Sequence, residues 1–177
     1  MKRIGSQLCF CSPELILRRT VVEQNEENTV TRIFSLDDGI VEPANTLFFD
    51  GILSAEIVSL KESTSNNITD RLIENYHYID ITKEPTTQTI SINPKPLLLD
   101  FGTSSPLKIN HLLTQLTPIL TNYSIFEIIA ACTFYPSLAT NLIGELSENR
   151  TTKLLLWENV DLVKKMITEK TSVREIK

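Results

Sequence analysis

Residues 97–106 read Leu97-Leu98-Leu99-Asp100-Phe101-Gly102-Thr103-Ser104-Ser105-Pro106, and the change of pattern inside this stretch decides how the chain is built. Leu97, Leu98, Leu99 and Phe101 form a short, nearly continuous apolar run, which predicts a strand buried on both faces. Gly102 to Ser105 then supplies turn chemistry. Ser105 is placed to cap a helix, and Pro106 takes its first position, where the missing N–H would be unpaired anyway. Ile109, Leu112, Leu113 and Leu116 follow as the apolar stripe of that helix, which Pro118 is expected to end or bend.

Downstream, Ser124-Ile125-Phe126-Glu127 is a capping box that opens a second helix, expected to run to about Thr133. Pro136 opens a further short helix through about Leu142, and Gly144 breaks the pattern. Lys153 to Trp157 reads as one late strand before a polar tail, Asp161 to Lys177. Upstream, residues 2–11, 14–22 and 29–36 are rich in apolar and β-branched side chains. Ser12-Pro13 and the polar run Glu23 to Asn28 separate them, which predicts an antiparallel meander. Asp37-Asp38-Gly39 offers a residue able to take positive φ. Leu47-Phe48-Phe49, Ile52-Leu53 and Ile57-Val58-Ser59-Leu60 carry the β character on across Asp50-Gly51 to about Lys61. Asn66 or Asn67 can cap a short helix whose face is Ile68, Leu72, Ile73 and Tyr76, and Tyr78–Ile81 and Thr89–Ile92 read as short strands. A block of strands, then helices, then a late strand is the segregated order of an α+β fold.

The chain has 177 residues, enough for one compact unit with a sizeable core but too few for two full-sized domains. Hydrophobic residues are 41% and charged residues 22%, which is ordinary folded composition. The net charge of −5 would repel a phosphate backbone, so nucleic acid is not an expected partner. The densest cationic groups are Arg18-Arg19 and Lys164-Lys165. No apolar run approaches the ~18 residues of a membrane span, and Ile4-Gly5-Ser6-Gln7 interrupts any signal-like core after Met1-Lys2-Arg3. Three cysteines, an odd number, fit a reducing compartment, so the expected location is cytoplasmic.

Chemistry-bearing residues are sparse. Cys9 and Cys11 flank Phe10, so in a strand both thiols face one side, read as small apolar strand residues without further metal ligands nearby. His77 and His111 are too few for a three-histidine zinc site. No phosphate-binding glycine loop, nucleophile elbow or His-Glu-x-x-His segment occurs. Ser104 and Ser105 sit at a strand-to-helix turn, but no general base accompanies them. Asp37-Asp38, Glu26-Glu27, Glu145 and Glu148 lie in polar, turn-like contexts as solvated charge. No catalytic, cofactor-binding or metal-binding residue is assigned, and no cofactor is expected.

Three separated segments together resemble the amidohydrolase superfamily, the metal-dependent hydrolases that include chlorohydrolase and cytosine-deaminase-like proteins. Arg3-Ile4-Gly5-Ser6 through Phe48-Phe49-Asp50-Gly51-Ile52-Leu53-Ser54 is similar to that family's opening strands and the approach to its first barrel strand. Leu99-Asp100-Phe101-Gly102-Thr103-Ser104-Ser105 resembles its last barrel strand, and Ala130-Ala131-Cys132-Thr133-Phe134-Tyr135-Pro136-Ser137-Leu138-Ala139 the helix pair that follows. Ile143-Gly144-Glu145-Leu146 and Lys153 to Asn159 look like returning sandwich strands. The resemblance spans about two thirds of the chain, with no motif intact.

The departures fall on the metal site. Where the family places a His-x-His pair, this chain has Lys61, Glu62 and Ser63; where it keeps a proton-shuttling aspartate, this chain has Ser104. Asp100, four positions earlier on the strand, cannot simply substitute. A barrel takes ~250 residues, and about 35 separate Ser63 from Leu97, so most of it is missing. The resemblance implies an α+β unit over residues 1–177: a small β-sandwich from 1–60 and 152–177, packed on a helical barrel remnant at 61–151. It implies a non-catalytic, amidohydrolase-like pseudoenzyme acting as an interaction or regulatory module. The alternative is a hydrolase-like enzyme of altered, metal-independent chemistry around Ser104 and His111 in a rebuilt cleft. Strand edges and apolar faces left by the lost barrel, above all Leu97 to Phe101, make a homodimer the expected assembly, with a protein partner also possible.

Overall fold

Lys2–Ser12 (β1), Leu15–Gln24 (β2) and Val30–Ser35 (β3) form the expected antiparallel meander in the computed structural model of the protein. The structure describes residues 1–39, 41–62, 66–81, 95–103, 105–140, 142 and 144–176; Ser104 and the strand read at 89–92 lie outside them. Leu47–Ser54 (β4) runs parallel to β1, and Leu155–Glu158 (β7) pairs antiparallel with β4, so the late strand does return to the first block. The six-stranded order is β3-β2-β1-β4-β7-β8, where β8 is Ser172–Glu175. That last strand lies inside the segment read as a polar tail. Its alternation is too short to register in sequence, and pairing with β7 creates it.

Two further expectations are corrected. The strands form one continuous six-stranded sheet where a two-sheet sandwich was expected. Its two ends nevertheless approach, because Thr29 and Thr151 bridge and the Val30 N–H donates to the Arg150 carbonyl. Ile57 to Leu60 are buried but not a strand; the Val58 N–H donates to the Cys132 carbonyl at a helix end, so no neighbouring strand pairs with this segment. β4 runs on across Asp50-Gly51 as expected, with a bulge there: the register against β1 shifts, and a side chain on Gly51 (φ +149°) would collide with the Trp157 carbonyl.

His77–Asp80 (β5) and Leu97–Asp100 (β6) make a separate two-stranded parallel sheet. Asn66–Asn75 (α1) lies in sequence between β4 and β5, and after β6 come Pro106–Leu120 (α2), Ile125–Cys132 (α3) and Phe134–Ser137 (α4). The capping box is present: the Glu127 N–H donates to Ser124 Oγ, and the Ser124 N–H donates to the Glu127 carboxylate. Ser105 precedes α2 but makes no side-chain cap; its own N–H donates to Thr103 Oγ1 instead. α2 includes Pro118 and ends two residues beyond it, at Leu120. α4 is shorter than expected and begins two residues before Pro136.

The main core lies between the sheet and the helices. Phe10, Ile52, Trp157 and Val173 meet Ile109, Leu113, Leu116 and Leu120 of α2 and Ile125, Ile128 and Ile129 of α3. On the sheet's other face Ile4, Cys9, Cys11, Val22, Leu53 and Leu156 pack with Leu146, Leu154 and Ile176. β6 is buried on both faces as expected: Leu97 and Leu99 point to the main core and Leu98 to a smaller one with Leu60, Leu72 and Ala139. The Leu97–Phe101 run is therefore covered within one chain, and it no longer motivates a second copy. Both outer strands of the large sheet are also guarded. Glu148 accepts from the Ile33 N–H of β3, while the Asn110 amide both donates to the Val173 carbonyl and accepts from the Val173 N–H of β8. No helix among the described residues is long and apolar enough to cross a membrane.

Candidate functional site

The parallel pair β5–β6 places its C-terminal ends where open parallel sheets gather polar chemistry. Asp80 and Asp100 stand at matching register there, with Tyr78 two residues earlier on β5. Asp100 is only 5% exposed, and a buried carboxylate persists only when its oxygens are hydrogen-bonded. One oxygen, Oδ1, accepts from the Gly102 N–H at 2.9 Å, from Ser59 Oγ at 3.2 Å and, at longer range, from the Leu60 N–H at 3.4 Å. Burial first, then the negative charges of Asp100 and Asp80 and a hydrogen bond to Asp100, push the Tyr78 hydroxyl far above its ordinary pKa. Asp100 thus ties the loop after β4 to the turn after β6. In the sequence, Asp100 stands out only by lying four positions before the place of the family's aspartate. An acid inside an apolar run is the signal that it must have partners, but Ser59 and Tyr78 as those partners were not legible.

The other singled-out residues are dispersed. His111 is on the exposed face of α2, beside Gln115 at 3.3 Å, and His77 Nδ1 meets the Tyr123 hydroxyl at 3.2 Å. Neither approaches Asp100 through any hydrogen bond among the described residues. Cys9 and Cys11 share a face as expected, with sulfurs 3.8 Å apart and both side chains buried. Their mutual contact and burial hold the Cys9 thiol well above its usual pKa, and burial does the same for Cys132. Neutral, enclosed thiols of this kind are packing residues and poor nucleophiles. Among the described residues no three His, Cys, Asp or Glu side chains are placed to share a metal ion.

A second location was not foreseen. An open cleft of about 590 Å³ lies between the middle of β1–β2, the start of α3 and the loop before β8. Its floor is Leu8, Ile16, Phe126 and Leu162, and its rim carries Arg18, Arg19 and Lys165. Among the described residues Asp37 pairs with Arg19, at 3.4 Å between exposed groups. Local hydroxyls shape the wall: the Arg18 carbonyl accepts from Thr20 Oγ1 and Ser35 Oγ, and the Leu8 carbonyl accepts from buried Ser6 Oγ. The loop that brings Lys165 closes through the Asp161–Met166 bridge and is tied to α3 by the Ile125 N–H, which donates to the Lys165 carbonyl at 2.7 Å.

No family model matches the chain, and no curated protein matches it. Among solved structures, an amidohydrolase from Brucella melitensis is similar over 32% of this chain and 11% of its own, at 9% identity and a TM-score of 0.26. An N-acetyl-D-glucosamine-6-phosphate deacetylase from Mycobacterium smegmatis is similar over 68% of this chain and 30% of its own, also at 9% identity and a TM-score of 0.26. The chain thus spans less than a third of either protein. Likenesses at this level assign neither family nor activity.

Proposed function

We propose that this chain is a non-catalytic, amidohydrolase-like protein that works as an interaction or regulatory module. The observation that carries this reading is the commitment of Asp100: the acid nearest a barrel-type reaction centre spends one oxygen on Ser59, Leu60 and Gly102 as an internal cross-link. A second observation supports the ancestry. Residues 59–60, which directly precede the place of the family's His-x-His pair, lie against the end of β6, which resembles its last barrel strand; in a closed barrel the first and last strands are neighbours. Three free thiols support a reducing, cytoplasmic location. A homodimer stays part of the proposal, now through a surface other than β6, and the mass by light scattering at micromolar concentration tests it.

The alternative of a metal-independent hydrolase draws on one feature, the matching register of Asp80 and Asp100 beside Tyr78. Assays of the purified protein on amide, ester and N-acetylated amine substrates separate the readings. The proposal expects no turnover above buffer. Turnover that Asp100→Asn abolishes while the variant stays folded would establish the alternative.

A further inference from the structure

The two densest cationic groups of the sequence, Arg18-Arg19 and Lys164-Lys165, are far apart along the chain, yet the fold brings members of both to one cleft. In a protein of net charge −5 such convergence opposes the overall field and creates a local positive rim. Arg18 and Lys165 have no carboxylate partner among the described residues, so their charge is free for a ligand. Arg19 and Lys165 both adopt positive φ, +41° and +56°, a conformation that non-glycine residues rarely hold and that gathers at ligand-binding positions. Beneath the rim the floor is apolar, with Phe126 and Leu162 opposite Leu8 and Ile16. A volume of about 590 Å³ is that of a small-molecule site.

From this juxtaposition we propose that the cleft binds an amphiphilic organic anion: a carboxylate or phosphate group held by Arg18, Arg19 and Lys165, carried on an aryl or short acyl body that lies on Phe126 and Leu162. Arginine can take either head group with two parallel hydrogen bonds, and lysine adds a point charge. The inference goes beyond the proposed function and stands whether or not the chain hydrolyses anything, since it uses no residue of the Asp100 cluster.

Calorimetric titration of the whole protein with phenyl phosphate, inorganic phosphate and phenol tests it. Phenyl phosphate is expected to bind saturably at one site, more weakly as salt is raised. Inorganic phosphate, lacking the apolar body, and phenol, lacking the charge, are each expected to bind at least about tenfold more weakly. The pair Arg18→Gln with Lys165→Gln should weaken phenyl phosphate by about tenfold or more, the loss of charge-assisted hydrogen bonds. Both side chains are exposed, so the unfolding midpoint should not move; if the double variant unfolds, Lys165→Gln alone is titrated and should also weaken binding. Absence of saturable binding, equal affinity for inorganic phosphate or phenol, or a folded variant that binds like the parent would overturn the proposal.

Discussion

Asp100 concentrates three donors on one buried oxygen, so truncating it leaves Ser59 Oγ and the Leu60 and Gly102 N–H groups without their acceptor. Asp100→Ala should cost about 2–4 kcal/mol in urea unfolding, whereas Asp100→Asn, which keeps a carbonyl oxygen in place, should lose roughly half as much. Equal, negligible losses for both would show that the bonds carry no stability. Trp157 poses the same question with one partner: its indole N–H donates to buried Ser54 Oγ at 3.0 Å. Ser54→Ala should destabilise by about 1–3 kcal/mol. As Trp157 is the single tryptophan and fully buried, its fluorescence reads both unfolding curves directly. The residues that made local contacts were legible in the sequence, as Ser124 with Glu127 shows. Asp100 was visible but its role was not, because Ser59 and Tyr78 reach it through tertiary contacts and no spacing rule links them.

At the scale of elements, strand edges show how the sheet ends without a neighbour. Asn110 imitates a strand by exchanging both bonds with Val173, one at 2.9 Å and one at 2.6 Å. Asn110→Ala should remove about 1–3 kcal/mol and expose the β8 edge, raising the apparent mass in light scattering at high concentration. An unchanged unfolding curve and mass would show that the edge needs no guard. Pattern recognition worked where an element is long or carries its own signals: β1, β2, β3, α2 and α3 were all expected. It failed for β8, four residues long and dependent on β7, and for Ile57 to Leu60, whose strand-like composition serves burial without a partner strand. Pro118 removes one ladder bond, its own to the carbonyl four residues earlier, and α2 ends two residues beyond it.

Of the three unpaired thiols the molecule encloses, the Cys11 contact and burial raise Cys9 and burial raises Cys132, while the contact with Cys9 lowers Cys11; the two raised thiols give its stability an alkaline limb. Cys9 and Cys132 hold their protons more tightly folded than unfolded, where a thiol ionises near about pH 8.5. A raised folded pKa contributes stability that is complete below the unfolded value and is lost as pH climbs beyond it. The urea midpoint should therefore stay level on this account from about pH 6 to 8 and fall above about pH 9; a midpoint that rises there would contradict the buried, neutral thiols. At this scale sequence reading reached the α+β class and the return of the late strand to the first block. The cleft was out of reach, since Arg18 and Lys165 meet only through the full topology of the sheet and the tie between Lys165 and Ile125. Asp100 serves as a structural acceptor for Ser59, Leu60 and Gly102, and the function proposed above is that of a chain that does not catalyse through a metal. Metal analysis of the purified protein, after incubation with zinc, iron and manganese salts and gel filtration, tests that claim most directly. The account predicts no stoichiometric retention of any of the three, and one tightly held ion per chain, lost on Asp100→Asn, would contradict it.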